Sequence, residues 1–142
     1  HPDPSIWTLL SSASDTSGTA NIDFILFREH WRVAEHTFRP PWFHSNLMSE
    51  LMGLIEGIYD AKAEGFLPGG VSIHNSFIPH GPDSAAYESA TQADLGPVKG
   101  PDSLAVMWES RYRWAPTSWA MTLPELQGDY PDRWADLRRE YN

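Results

Sequence analysis

The sequence predicts an all-β domain, built as an antiparallel sandwich or jelly roll with a few short helices. Short apolar runs alternate with turn-forming residues along most of the chain, and few stretches favour a helix. Seven tryptophans, five tyrosines and six phenylalanines supply the large apolar groups of a β-rich core or an interface. The 142 residues suffice for one domain that buries roughly two thirds of its unfolded surface.

The first two predicted strands lie in the amino-terminal part of the chain. Apolar runs at 6–10 and 22–27 flank a polar loop at 11–19, and they predict two strands. In the segment 38–43 two consecutive prolines exclude a helix interior and favour an extended approach to His44. We therefore expect His44 to lie on a strand.

The segment that begins at Met48 fits two patterns. Its apolar residues recur at spacings of three and four, which suits a helix: Met48, Leu51, Met52, Ile55, Ile58 and Tyr59. Gly53 and Gly57 would each cost that helix about 0.5–1 kcal/mol relative to alanine, whereas glycine in a strand often marks a bulge or a close approach. We predict a strand through about Gly57, then a short turn or helix at 60–64.

The second half of the chain continues the alternation of strands and turns. The predicted elements are, in order, a turn at 65–70, a strand at 71–74, a loop at 79–83, a helix within 83–94, a strand at 104–109 and an amphipathic C-terminal helix at 131–141. No internal repeat or low-complexity tract interrupts them.

Composition limits which classes of binding partner and which cellular compartment are expected. The formal net charge of −9 disfavours nucleic acids and anionic membranes, which both bind surfaces rich in lysine and arginine. The chain has no cysteine, no signal segment and no apolar run near the roughly twenty residues of a membrane span. These features predict a soluble, cytoplasmic protein. Because the chain opens on His1 without an initiator methionine, we expect it to be part of something longer.

Three residues form a candidate metal site: His44, Glu50 and His80. Two imidazoles and one carboxylate suit Fe(II) and leave positions on the ion open for substrate and O2. The six-residue step from His44 to Glu50 would put both side chains on one face of an extended strand. His80 comes thirty residues after Glu50, so it must arrive from a second element that folds back.

Two other interpretations stay open on these residues alone. Histidines in loops are more often solvated or hydrogen-bonded than bound to metal, so the alternative is a metal-free jelly-roll module that binds a small acid or a protein partner. A metal site with different chemistry, such as isomerisation, is also compatible with the three side chains. Metal content separates the first alternative from an oxygenase, and O2 consumption separates the second.

A dense series of motifs runs through the middle of the chain: FRPP at 38–41, His44, MSE at 48–50, MGLI at 52–55, YDAK at 59–62, GFLPGG at 65–70, Ser72, His74 and PHGPD at 79–83. This series resembles the homogentisate 1,2-dioxygenase family. A thinner likeness extends from 1–6 to 115–117, and the C-terminal tail is only loosely similar.

The resemblance implies a cupin-like jelly roll that binds Fe(II). It also implies that the substrates are homogentisate and O2, and that ring opening gives maleylacetoacetate in tyrosine and phenylalanine catabolism. The iron ligands of the family fall on His44, Glu50 and His80, and the substrate-binding positions fall on Tyr59, His74 and His80. The Tyr59 phenol can meet the acetate carboxylate of homogentisate, and His74 can donate to a substrate oxygen near iron.

The resemblance also implies what this chain lacks. The family's general-base histidine falls upstream of His1, so no residue of this chain takes that role. Some relatives carry arginine where this chain has Glu56, which would repel the substrate carboxylate if it pointed into the site. We therefore expect residues 1–142 to be the single carboxy-terminal, iron-binding domain of a longer enzyme. Its partners would be the missing amino-terminal portion and further copies, in a trimer or hexamer.

Overall fold

A five-stranded antiparallel sheet organises the fold of the computed structural model, which describes residues 6–29, 31–32, 43–59, 62, 64–94, 98–100 and 102–138. The strands are β1 (Trp7–Ala13), β2 (Ala20–Arg28), β3 (Trp31–Arg32), β4 (Ser49–Glu56), β5 (Val71–His74), β6 (Val98–Lys99) and β7 (Leu104–Ser110). The helices are α1 (Ser84–Gln92) and two short 3-10 turns, Ala120–Thr122 and Tyr130–Trp134.

The strand order of the main sheet is β1-β2-β7-β4-β5, and every neighbouring pair is antiparallel. The late strand β7 inserts between β2 and β4, while β3 and β6 form a separate two-stranded sheet. The prediction of an all-β, cupin-like fold is confirmed. All five strands predicted from apolar runs are present in the main sheet, with bounds close to those expected.

Strand β4 places its buried side chains on one face, in the period of two that a strand imposes. Met52 and Leu54 join the buried core with Ile25, Phe66, Ala105 and Met107. Glu50 precedes them on the same face and is itself buried, at 7% exposed. The helical stripe in this segment is therefore a coincidence of spacing, and the strand prediction is confirmed. The carboxylate is directed inward as a consequence.

The amino-terminal end of β4 is held by hydrogen bonds from two other segments, residues 75–76 and the segment of Trp114. Ser49 is fully buried, and its hydroxyl accepts a hydrogen bond from the backbone N–H of Ser76 at 3.1 Å. The Trp114 indole N–H donates to the Ser49 carbonyl at 3.3 Å, and Asn75 bonds both backbone groups of Trp114. Because these contacts flank Glu50, they restrict the position of its side chain.

Two helix predictions have different outcomes. The helix within 83–94 is confirmed as α1. The amphipathic helix at 131–141 is wrong over its described part, because Tyr130–Trp134 is a 3-10 turn and no regular helix continues to residue 138. Tertiary contacts explain the difference: the Trp134 indole donates to the Pro82 carbonyl at 3.0 Å and packs on the Tyr130 ring. Those contacts turn both aromatic side chains inward.

Other sequence predictions reach beyond the described residues. The proline-rich approach at 38–42, residues 60, 61 and 63 of the predicted turn or helix, and the tail 139–142 lie outside them. Within the described part of the chain, none of the helices has both the length and the apolar character needed to cross a membrane.

Asp83 is the N-cap of α1, and its removal should weaken the loop that carries His80. Its carboxylate accepts a hydrogen bond from the backbone N–H of Ala86 at 2.8 Å. Asp83→Ala is expected to lower the free energy of unfolding by about 1 kcal/mol, measured by urea denaturation. Asp83→Asn keeps an acceptor and should lie close to the wild type. Equal losses in both variants would contradict the capping role.

Candidate metal centre

His44 and His80 face each other across an isolated antiparallel bridge. The backbone N–H of each residue donates to the carbonyl of the other, both at 2.9 Å. The ring centroids lie 4.3 Å apart. Gly81 allows this close pairing, since a Cβ there would come within 2.4 Å of the Phe43 ring. The expectation that His80 arrives from a second, folded-back element is confirmed.

The shared-strand argument for His44 and Glu50 is wrong. His44 lies in the isolated bridge, residues 45–48 are irregular, and β4 begins only at Ser49. The two side chains converge because the irregular segment turns between them and not because of strand periodicity. Tertiary structure therefore brings together the three residues that the sequence nominated.

The side chains of His44, Glu50 and His80 form a compact group that can hold a metal ion. One nitrogen or oxygen from each residue lies within 4.8 Å of the others. The Nε2 atom of His80 is 3.0 Å from Oε2 of Glu50, and Nε2 of His44 is 4.0 Å from Oε1. The amide of Asn46 also donates to Glu50 Oε1.

The ring of His80 is prepared to offer one lone pair. Its Nδ1 donates to the Ile78 carbonyl at 2.9 Å, which leaves Nε2 as the acceptor in the neutral imidazole. That Nε2 is buried and lies 3.0 Å from Oε2 of Glu50, but it forms no hydrogen bond of regular geometry among the described residues. Metal-bound histidines usually hold the second ring nitrogen in this way. The donor set and this buried nitrogen therefore fit a bound cation.

The electrostatics of the group agree with this interpretation. Burial alone would raise the pKa of Glu50, but His80 and Asn46 outweigh it and hold that pKa below its ordinary value. The carboxylate of Glu50, in turn, raises the pKa of His80 against the opposing effect of burial. A metal cation bound by these side chains would offset the same buried negative charge.

His74 lies beside the group but is neutral. It pairs with Glu50 across β4 and β5, and its ring stacks on His80 with centroids 4.3 Å apart. Burial and the neighbouring His80 lower the pKa of His74 to about 4. Its Nε2 is 3.1 Å from the hydroxyl of Tyr130, whose own pKa is raised by burial and by Asp83. One nitrogen of the ring is thus occupied by a protonated phenol.

A cavity of about 280 Å³ opens beside the three residues. Its wall is mainly apolar, with a few convergent polar groups, as is typical of small-molecule sites. Tyr59 lines the cavity and packs against the core, with its ring 5.6 Å from that of Phe66. Glu56 is exposed and is not part of the cavity wall, so the repulsion considered for it does not arise.

Several cavity residues were not singled out from the sequence, and those with polar groups near the candidate ligands include Asn46, Lys62, Glu109 and Tyr130. Asn46 lies between His44 and the MSE motif at 48–50, and Lys62 ends the YDAK motif at 59–62, so proximity to the candidate ligands was an available signal. Glu109 pairs with Glu50 across β4 and β7, and burial, then Glu50, raise its pKa. Tyr130 is fifty residues from His80 along the chain, and only the fold brings it near.

Comparison with known proteins gives one consistent family. A family model described as homogentisate 1,2-dioxygenase C-terminal matches residues 1–141. Homogentisate 1,2-dioxygenases from Rhodopseudomonas palustris (strain BisB18) and Sinorhizobium fredii are each 56% identical over 142 residues, covering 100% of this chain and 32% and 31% of their own lengths. The protein of that name from Nitrobacter hamburgensis is 55% identical, with 100% and 32% covered.

The chain spans about a third of the length of the curated relatives that it matches. The similarity is not confined to the motifs between Phe38 and Asp83 but extends over all 142 residues. The likeness indicated by those motifs is therefore confirmed, and the chain belongs to the homogentisate 1,2-dioxygenase C-terminal family.

Proposed function

We propose that this chain is the iron-binding part of a ring-cleaving dioxygenase that converts homogentisate and O2 to maleylacetoacetate in tyrosine and phenylalanine catabolism. The observation that carries the proposal is the convergence of His44, Glu50 and His80 within 4.8 Å, in a chain whose relatives carry the name of that enzyme. The reaction breaks one carbon–carbon bond of the ring and adds both atoms of O2, so it consumes no separate reductant.

The three side chains are proposed to hold Fe(II) through two imidazole nitrogens and a carboxylate oxygen. This set suits the ion and leaves positions for other ligands. Bound Fe(II) would supply the redox-active centre through which electrons pass from the aromatic ring to O2, a route that the free reactants lack. The protein's own contribution is positional: the Ile78 carbonyl orients His80, and Asn46 orients the Glu50 carboxylate.

The substrate is proposed to lie in the cavity between the metal group and Tyr59. A volume of about 280 Å³ suits a molecule with a single aromatic ring. If the Tyr130 hydroxyl donates to Nε2 of His74, the neutral ring carries its proton on Nδ1 and can donate it to a substrate oxygen. The apolar wall, which includes Phe27, Met52 and Met107, would exclude water from the reacting atoms.

The remaining parts of the catalyst are proposed to lie outside this chain. The relatives are about three times as long, which supports an additional amino-terminal portion that supplies the general-base histidine. We retain the proposal that residues 1–142 act as one domain within a trimer or hexamer of the complete enzyme.

Reconstitution with metal tests the function directly. Full-length protein stripped of metal is loaded anaerobically with Fe(II), then exposed to O2 and homogentisate. We expect substrate-dependent O2 uptake with Fe(II) and none with Zn(II), because Zn(II) can occupy nitrogen and oxygen ligands but has no redox chemistry. An oxygen electrode provides the measurement, and absorbance of the product provides a second one.

Two outcomes would contradict the proposal. Folded protein that retains no iron would favour the metal-free binding module. Iron bound in stoichiometric amount, with substrate conversion but no O2 consumption, would favour isomerisation or another metal-dependent reaction.

A further inference from the structure

Lys62 is the one lysine or arginine among the described residues that line the cavity. It is buried, at 7% exposed, which is rare for a lysine without a paired charge. Its backbone N–H donates to the Tyr59 carbonyl at 3.1 Å, so the two residues lie side by side at the cavity wall. The cavity therefore contains a positive charge that the sequence did not single out.

The ammonium group of Lys62 is only partly satisfied by the protein. It donates to Oε1 of Gln127 at 2.8 Å and lies 4.2 Å above the ring of Tyr130. Within the described part of the chain, no carboxylate comes within 4.0 Å of it. At longer range Arg133 disfavours its positive charge, whereas Asp83 and Asp129 favour it. An ammonium has three donors, and a buried charge normally requires an opposite one. The missing counter-charge is an anion.

The surroundings of Lys62 locate that anion relative to the metal group. The Tyr130 ring under the ammonium carries the hydroxyl that contacts His74, and His74 stacks on His80. Tyr130 and His74 thus link the cation to the metal group through successive contacts. A ligand with ring hydroxyls at one end and an anionic group at the other matches this polarity.

We propose that Lys62 binds the carboxylate of an arylacetate substrate, an inference that rests on the proposed function. The other charged groups of the cavity wall, Glu50, Asp83 and Glu109, are acidic and would repel that carboxylate. Lys62 offsets this repulsion and selects an acidic substrate over a neutral diphenol of the same shape. Tyr59, three residues earlier, also lines the cavity.

Equilibrium binding tests this role without turnover. Full-length, Fe(II)-loaded protein is titrated anaerobically by calorimetry with homogentisate and with its neutral amide, 2,5-dihydroxyphenylacetamide. Lys62→Met should weaken homogentisate binding by roughly ten- to a hundredfold, as expected for loss of a charge-assisted hydrogen bond, and should leave amide binding within about twofold. Lys99→Met is the matched control: it removes the same charge from a lysine that pairs with Glu29 outside the cavity.

The outcomes separate this inference from the proposed function. Wild type that prefers homogentisate to the amide, with the preference lost in Lys62→Met, supports the carboxylate contact. Equal losses for both ligands would indicate a general structural role, and no loss would contradict any role. If wild type binds neither ligand, the proposed function itself fails. If Lys62→Met does not fold, as judged by circular dichroism, Lys62→Gln takes its place and wild type must still prefer the acid.

Discussion

Replacing Glu50 with glutamine is expected to abolish both iron retention and homogentisate-dependent O2 uptake. The carboxylate lies 3.0 Å from Nε2 of His80 and is the one acidic member of the three-residue group. An amide keeps the volume but removes the negative charge that offsets the metal, and it presents N–H donors where a lone pair is required. Metal analysis of the purified protein gives the first measurement, and an oxygen electrode gives the second.

Glu56→Gln is the matched control for this experiment. Glu56 lies on the same strand as Glu50 and undergoes the same change of charge and shape, but its side chain is exposed. It should retain stoichiometric iron and wild-type uptake. Glu50→Gln protein that keeps both iron and activity would contradict the assignment of Glu50 as a ligand. Loss of iron and activity in both variants would indicate a general effect on the strand.

Replacing Gly57 with alanine is expected to be severely destabilising. Gly57 follows directly after β4 with φ of +79°, a left-handed conformation that costs other residues roughly 1–2 kcal/mol. An added Cβ would also lie 2.2 Å from the backbone carbonyl oxygen of Asp102, so either the strand end or the segment leading into β7 must move. With about 1–3 kcal/mol for the overlap, the total loss is about 2–5 kcal/mol in the free energy of unfolding.

Gly18→Ala separates the two causes. Gly18 has a similar φ of +76° but no atom within 4 Å of an added Cβ, so it should lose only the conformational part, roughly 1–2 kcal/mol. Urea denaturation of both variants gives the difference between them. Equal losses would mean that the contact with Asp102 contributes nothing to the restriction at Gly57.

The strands could be predicted because their causes are local. Short apolar runs, bounded by glycine, proline and polar turns, identified β1, β2, β4, β5 and β7 close to their final bounds. The helix predicted for the C-terminal segment was wrong. Its apolar spacing fits a helix, but contacts of Tyr130 and Trp134 with residues far away in sequence determine the conformation of 130–134.

For the candidate metal ligands, too, the residue identities could be predicted but their geometry could not. Residue chemistry nominated His44, Glu50 and His80, and the family motifs pointed to the same positions. The geometric reason offered from the sequence was wrong, because His44 is not on the strand of Glu50. Strand periodicity describes neighbours along one element, whereas an irregular turn and an isolated bridge determine how these three meet.

The sequence by itself determined the all-β class, the main strands, the family and the three candidate metal-binding residues, because composition, periodicity and motif are properties of short segments. Tertiary structure alone decided that His80 presents a buried Nε2 to Glu50 and that Tyr130 contacts His74. It also decided that Lys62 lies buried in the cavity wall with no carboxylate of the described residues within 4.0 Å. These contacts join residues that can be fifty or more positions apart in the sequence, and only the packed sheet brings them within hydrogen-bonding distance.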